Sequence, residues 1–298
     1  MRVLVTGSHG FIGSALVPAL AAAGHRAIRV VRGSPGPGEV GWDPATGTLN
    51  AADLSGVEGA VHLAGESLGA RRWNPEQKCR IFDSRVKGTA LLCRRLAELE
   101  PRPRVLVAGS AVGFYGDRGA QQLDERSDAG TGFLAELAQQ WEAATRPAED
   151  AGIRVVRIRT GVVLSPRGGA LQRQLPLFKI GVGGRLGSGQ QYLSWISLDD
   201  EVGAILFALD TDGLAGAVNL TAPHPVTNAE FTKTLGAVLG RPTIIPVPRI
   251  GLAAILGGEA ADEMLLGGQR VLPKKLLEHG YRFKQPELEP ALRGLLGR

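Results

Sequence analysis

Three glycines and one arginine near the start of the chain have the types and spacing to grip a phosphorylated dinucleotide. The stretch Arg2 to Gly13 reads RVLVTGSHGFIG, with glycines at Gly7, Gly10 and Gly13. Glycines so placed allow a tight turn, bring backbone close to a pyrophosphate and let a helix pack closely on a strand. The N–H groups of Phe11, Ile12 and Gly13, opening the next helix, would meet the phosphates with the positive end of the helix dipole. Past the second strand the chain reads Val31-Arg32-Gly33-Ser34. An NAD-binding unit usually carries an acid there for the ribose 2′-hydroxyl, whereas an arginine can pair with a 2′-phosphate. The expected cofactor is therefore NADP(H), with Val31 and Arg32 at its adenosine end; a plain surface arginine is the alternative.

Other side chains could handle the reaction itself. Ser110 and Tyr115 lie in Gly109 to Asp117, GSAVGFYGD, just past a buried-type strand. Open α/β sheets place their chemistry at such strand ends. Ser110 is placed to orient a carbonyl or a nicotinamide amide. Tyr115 could act as a general acid, but with an ordinary pKa near 10 it would need a cation beside it. Packing over the cleft with one hydrogen bond is its other reading. Glu66 and Asp117 are the remaining acids near strand ends, and His62, inside a buried strand, reads as structural. Arg72, with Gln190 and Tyr192, could frame a phosphorylated or nucleotide-linked substrate beside Glu66, because an arginine fork binds phosphate through two parallel bonds. Equally, Trp73 is core and Arg71 and Arg72 are solvated.

The elements that must position these groups alternate strand and helix. Arg2–Val5 is a strand, followed by a helix with Ile12, Leu16 and Leu20 on one face, closed by Gly24. Ala27–Val31 is the second strand. Residues 33–56 are rich in proline and glycine and read as irregular. Gly59–Leu63 is a strand running into Ala64-Gly65-Glu66, small residues that let the chain pass close to an adenine or ribose. Asn74, Pro75 and Gln77 mark a helix start. That helix runs to about Glu100, and Arg85 lies three turns in, either reaching the cofactor or on the surface. Strands follow at Arg104–Ala108 and Val155–Ile158, flanking a helix over Phe133–Thr145. Residues 167–191 read as a glycine-rich loop, then a short strand and a helix from Asp199 or Asp200. Val218–Leu220 is a further strand, and Thr227 with Glu230 forms a capping box for a helix closed by Gly240. Pro273 and Pro286 read as first residues of two short helices.

This order predicts an α/β fold: a Rossmann-type, doubly wound parallel sheet over 1–164, with strands returning from later in the chain, and a smaller, mainly helical substrate lobe over 165–298. The 298 residues suffice for both, and 44% hydrophobic residues supply a core. The net charge of +5 is scattered, with no basic run longer than two, which argues against a nucleic-acid stripe. No apolar run approaches the roughly 18–20 residues of a membrane span. The two cysteines, Cys79 and Cys93, fall fourteen residues apart in one helix, too far for a disulfide, and no cluster suggests a metal. With no signal segment, a reducing, cytoplasmic setting is expected. The expected partner is a small-molecule substrate, with neither nucleic acid nor membrane; a homodimer stays open.

The GxxGxxG turn, His62-Leu63-Ala64-Gly65 and Gly109 to Asp117 together resemble the extended short-chain dehydrogenases/reductases, which include sugar-nucleotide epimerases and dehydratases. Arg71-Arg72-Trp73-Asn74, Arg159 to Leu164, Gly187 to Tyr192 and Gly267 to Pro273 resemble one branch: an NAD(P)-dependent epimerase-like family with a C-terminal domain of unknown function. The resemblance implies that Gly7, Gly10, Gly13 and Arg32 hold NADP and that Leu63 and Ala64 touch it. It also implies that Arg85 lies beside it and that Thr160, Gly161 and Val162 lie near its nicotinamide end. One departure matters. The superfamily uses a tyrosine and, four residues on, a lysine that lowers its pKa. Aligned here are Phe133 and Leu137, neither of which can carry a proton. Two functions therefore stand: an epimerase/dehydratase-like oxidoreductase, and an NADP(H)-binding sensor or scaffold without turnover.

Overall fold

A computed structural model describes residues 1–298. The first half runs β1 (Arg2–Thr6), α1 (Phe11–Ala22), β2 (Arg26–Val31), β3 (Glu39–Asp43), β4 (Thr48–Leu49), β5 (Gly59–His62), α2 (Pro75–Ala97), β6 (Val105–Ala111), β7 (Gln122–Leu123), α3 (Phe133–Ala143), α4 (Arg146–Asp150) and β8 (Arg154–Thr160). The second runs β9 (Val162–Leu164), α5 (Gly169–Lys179), β10 (Tyr192–Leu193), β11 (Trp195–Ser197), α6 (Leu198–Asp210), β12 (Gly216–Leu220), β13 (Val226–Thr227), α7 (Asn228–Leu239), α8 (Arg249–Leu256), α9 (Gly258–Ala261), β14 (Arg270–Val271), α10 (Lys274–Glu278) and α11 (Leu288–Leu296). One turn of π-helix, Asp262–Leu266, joins α9 to β14.

Eight strands form one sheet in the order β12-β8-β6-β5-β1-β2-β3-β4, parallel except for the β3–β4 edge pair. The chain reverses its direction of travel across the sheet between β1 and β5, so a crevice opens at their carboxyl ends, where open α/β sheets bind ligands. Alternation along each strand splits the core. Val3, Val5, Val107, Val156 and Ile158 face one side with Leu16, Leu20 and Ile205. Leu4, Ala60, Leu106 and Val155 face the other with Leu92 and Leu96. A third cluster joins α5, α7 and α11 through Leu175, Phe231, Leu235 and Leu292, and forms the helical lobe. No helix is long and apolar enough to cross a membrane.

Local signals acted as expected at several helix ends. Asn74 Oδ1 accepts from Gln77 N at 2.7 Å, and Thr227 and Glu230 close a reciprocal capping box. Three expectations fail. Residues 33–56 are not irregular: β3 pairs in parallel with β2 and buries Val40 and Trp42, and hydrogen bonding to an existing strand outweighs the local proline and glycine content. Residues 167–191 contain α5, an eleven-residue helix with Leu171, Leu175 and Phe178 on its buried face. That period of three to four was masked by the flanking glycines. Pro273 and Pro286 stand one and two residues ahead of α10 and α11 rather than as their first residues.

Candidate functional site

The turn after β1 is fitted to the turn after β5 with little room to spare. Gly7 has φ +68°, and a Cβ there would lie 2.8 Å from the Leu63 carbonyl carbon and 2.9 Å from Ala64 N. A Cβ on Gly13 would run into Gly7 O. Gly10 N donates to Gly7 O at 2.9 Å and precedes α1 in an extended conformation, with no side chain capping the helix. The opening amides of α1, at Phe11, Ile12 and Gly13, therefore head the helix without a side-chain cap, the arrangement that favours an anion there. The Phe11 ring packs on Gly168 and Gly169, which fixes α1 to the start of α5. At the far end of the crevice Arg32 follows β2, exposed and with neither a hydrogen-bond nor an ion-pair partner.

Beneath the crevice runs a line of buried polar groups. Ala64 N donates to Thr6 Oγ1 at 3.2 Å, and Thr6 Oγ1 lies 2.7 Å from His62 Nδ1. His62 Nε2 lies 2.9 Å from Thr89 Oγ1, which also accepts from Trp141 Nε1 at 2.9 Å. Burial, helped by the Arg85 cation, pushes the His62 pKa down to about 4. An imidazole so held stays neutral in the fold while the unfolded chain protonates near 6.5, so stability declines as pH falls from 6.5 towards 4. His62→Gln should remove this component, worth about 1.4 kcal/mol per pH unit, when unfolding free energies of the two proteins are compared across that window. Arg85 does not stand free. Its Nη1 donates to Glu66 O at 2.9 Å, which places the guanidinium against Gly65 and props the turn after β5. Glu66 itself is half-buried, its Oε1 3.5 Å from Gln77 Nε2.

Ser110 and Tyr115 are not open at the strand end. β6 runs on to Ala111, and alternation turns Ser110 towards α3, where its Oγ donates to Glu142 Oε1 at 2.7 Å. Residues Val112–Tyr115 then make a 3-10 turn that folds Tyr115 under the sheet edge, fully buried. Its hydroxyl donates to Asn219 Oδ1 at 2.7 Å and accepts from Arg159 Nη1 at 2.9 Å. Burial pushes its pKa up to about 12 despite the Arg159 cation. Both candidates belong to one buried network centred on the Glu142–Arg159 ion pair, and in this geometry neither offers a proton to the crevice. Asp117 Oδ1 instead accepts from Gly268 N at 3.2 Å.

Where the resemblance places a tyrosine and a lysine, Phe133 opens α3 and Leu137 is buried in the core. The Phe133 ring meets Trp73 edge-on at 5.1 Å, with Lys78 Nζ 4.4 Å from its centroid. Trp73 is thus half-buried beside Phe133 rather than in the core, and its Nε1 donates to Leu68 O. Thr160 ends β8, and its Oγ1 donates to Glu201 Oε1 at 2.8 Å. Gly161 N donates to Leu220 O, and Val162 N to Ser194 O at 2.8 Å, so this turn is locked on three neighbouring segments.

The expected frame of Arg72, Gln190 and Tyr192 does not assemble. Arg72 Nη2 donates to Ala253 O and Ala254 O at 3.1 and 2.8 Å, which sets a cation at the negative, carbonyl end of α8. Gln190 is exposed, while Gln191 points inward to Leu186 O and Leu265 O. Sequence reasoning also missed Glu142, Arg159, Glu201 and Glu263. Arginines at 157 and 159, inside a strand buried on both faces, were the available signal for a buried acid. Glu263 Oε1 and Oε2 accept from Phe133 N and Leu134 N, each at 2.8 Å, and so cap α3 from the π-helical turn.

Comparison with known proteins agrees with this geometry. The sequence model of the NAD dependent epimerase/dehydratase family matches residues 3–220, and that of a domain of unknown function (DUF1731) matches residues 247–295. The "Epimerase family protein Mb2239" of Mycobacterium bovis is 47% identical over 97% of this chain and 96% of its own length. A crystal structure of the human epimerase family protein SDR39U1, with NADPH, superposes with TM-score 0.92 at 39% identity, covering both chains in full. A nucleoside-diphosphate sugar epimerase from Corynebacterium glutamicum superposes with TM-score 0.82 at 38% identity, over all of this chain and 58% of that one. The opening turn, the sheet order and the matched residues together place this chain in the NAD dependent epimerase/dehydratase family, in the branch that carries the C-terminal domain of unknown function.

Proposed function

We propose that the chain is an NADP(H)-dependent, epimerase-like oxidoreductase acting on a small molecule that is phosphorylated or nucleotide-linked. The observation that carries this reading is the crevice itself: an interlocked glycine turn leading to uncapped amides at one end, and an unpaired arginine at the other. A human relative crystallised with NADPH supports the same cofactor. Gly10 to Gly13 would hold the pyrophosphate, Val31 and Arg32 the adenosine end with its 2′-phosphate, and Leu63 to Gly65 would pass beside adenine or ribose. Thr160, Gly161 and Val162 would border the nicotinamide. When bound, the cofactor supplies hydride transfer at the nicotinamide; this chain's residues bind and orient it. In this reading residues 1–164 hold the cofactor and 165–298 the substrate. The setting is reducing and cytoplasmic, consistent with two free cysteines, and neither nucleic acid nor membrane takes part.

Titration with NADPH and NADH, followed by nicotinamide fluorescence, tests the cofactor. NADPH should bind below the millimolar range and more tightly than NADH. Arg32→Glu should weaken NADPH by about tenfold or more and leave NADH nearly unchanged, because it replaces a charge-assisted phosphate contact with a repulsion. Equal losses for both would remove Arg32 from the 2′-phosphate.

A second reading, an NADP(H)-binding sensor without turnover, is favoured by one set of observations: Phe133 and Leu137 cannot move a proton, and Ser110 and Tyr115 are internally bonded. Substrate-dependent oxidation of bound NADPH against a broad metabolite panel discriminates the two, since robust turnover excludes a pure sensor.

A further inference from the structure

The segment Gly267 to Pro273 is not absorbed by any of the roles above, and Arg270 within it is unusual. Its side chain is half-buried, its Nε is enclosed without a partner, and neither its Nε nor its terminal nitrogens reach a carboxylate or a carbonyl. Arg95 and Arg157 also enclose an unpaired Nε, but their Nη1 atoms reach Glu98 and Glu149, each at 2.9 Å. The buried arginine of the sheet, Arg159, is fully engaged by Glu142 and Tyr115. Leaving a buried N–H unpaired is costly, and native structures do so rarely.

Arg270 is also held in place. Its neighbour Val271 turns inward to the cluster of Val112, Tyr115 and Leu123, so alternation turns Arg270 the other way. There its Cζ lies 5.0 Å from the centroid of the Tyr192 ring. Ser194 fixes the strand on both sides: its Oγ donates to Gln269 O at 2.6 Å and accepts from Val271 N at 2.9 Å. The carbonyl of the same residue accepts from Val162 N at 2.8 Å. Arg270 is thus tied through one residue to the Thr160–Val162 turn at the carboxyl edge of the sheet. On its other side, Gly268 is bonded to Asp117, just past β6. A guanidinium stacked on a ring keeps its in-plane N–H fork free, and that fork matches the oxygens of a phosphate or carboxylate.

We infer that Arg270, backed by Tyr192, is the binding group for an oxyanion, phosphate or carboxylate, on the substrate. This rests on the reading that the nicotinamide borders Thr160–Val162, and it gives Arg270 the phosphate-binding role that Arg72 cannot fill. The test starts with NADPH alone, which reads the cofactor assignment independently. The NADPH-loaded protein is then titrated calorimetrically with phenyl phosphate and with benzoate. At least one probe binds the wild type; phenyl phosphate alone marks a phosphate site, and benzoate alone a carboxylate site. Arg270→Gln weakens that probe about tenfold or more while NADPH affinity is unchanged. Arg270→Lys, which keeps the charge and loses the planar fork, falls between. The inference is overturned if neither probe binds the NADPH-loaded wild type, or if wild type and both variants bind equally.

Discussion

Glu142→Ala is expected to lower the unfolding free energy by about 3–5 kcal/mol, the usual cost of stranding one member of a buried ion pair. The Arg159 and Glu142 side chains are only 5% and 10% exposed. Two bonds join them, Nε to Oε1 at 2.8 Å and Nη2 to Oε2 at 2.9 Å, and Ser110 donates to the same carboxylate. Without Glu142 the guanidinium keeps the Tyr115 hydroxyl and the face of Phe114, 3.4 Å away, but no counter-charge. Denaturant titration at neutral pH measures the loss. Replacing both residues by methionine should recover most of it, since removing a buried pair together strands neither charge. A loss below about 1 kcal/mol for Glu142→Ala would mean that water reaches Arg159 and that the network is not structural.

The opposite sign is expected at Glu201. This carboxyl is fully buried on α6, with Oε1 accepting from Thr160 and Oε2 without a partner. Burial pushes its pKa up to about 8, against 4.5 in the unfolded chain. A raised carboxyl pKa makes the folded state the stronger proton binder between these values. Its contribution is therefore whole below 4.5 and is lost as pH rises towards 8. Glu201→Gln replaces the neutral acid with an amide of the same shape that cannot ionise. It should match wild type near pH 4.5 and exceed it at pH 7 by on the order of 3 kcal/mol, a gain that most substitutions never give. Parallel unfolding curves at the two pH values decide the matter; a variant less stable than wild type at both would show that the carboxylate is ionised and needed. Because the His62 contribution has the opposite slope between 4.5 and 6.5, only the variants, not the wild-type profile, separate the two.

The shape of the opening turn and strand tip that the proposal assigns to the cofactor was legible because local chemistry dictates it. A strand, three spaced glycines, a helix and an arginine at the next strand tip sit within the first 32 residues, and each carries its signal in its own residue type. The alternation of strand and helix likewise gave the sheet, and Thr227 with Glu230 gave a helix start. What stayed hidden depends on which distant residues meet. Nothing local says that Ser110 would turn to Glu142, that Tyr115 would fold under Asn219, or that Arg72 would cap α8, since these contacts span 32, 104 and about 180 residues. The helix α5 was hidden for a different reason: its apolar stripe is short, and glycines on both sides resemble a loop.

The cap that Glu263 places on α3 has a consequence for how such chains can be reshuffled. The first two amides of α3 are satisfied only by a carboxylate some 130 residues later. The C-terminal portion is therefore no detachable accessory: grafting it onto another scaffold, or trading it for an unrelated one, would strip a foundation stone from the half left behind. Descent in this lineage should keep the two portions travelling as a single inherited unit.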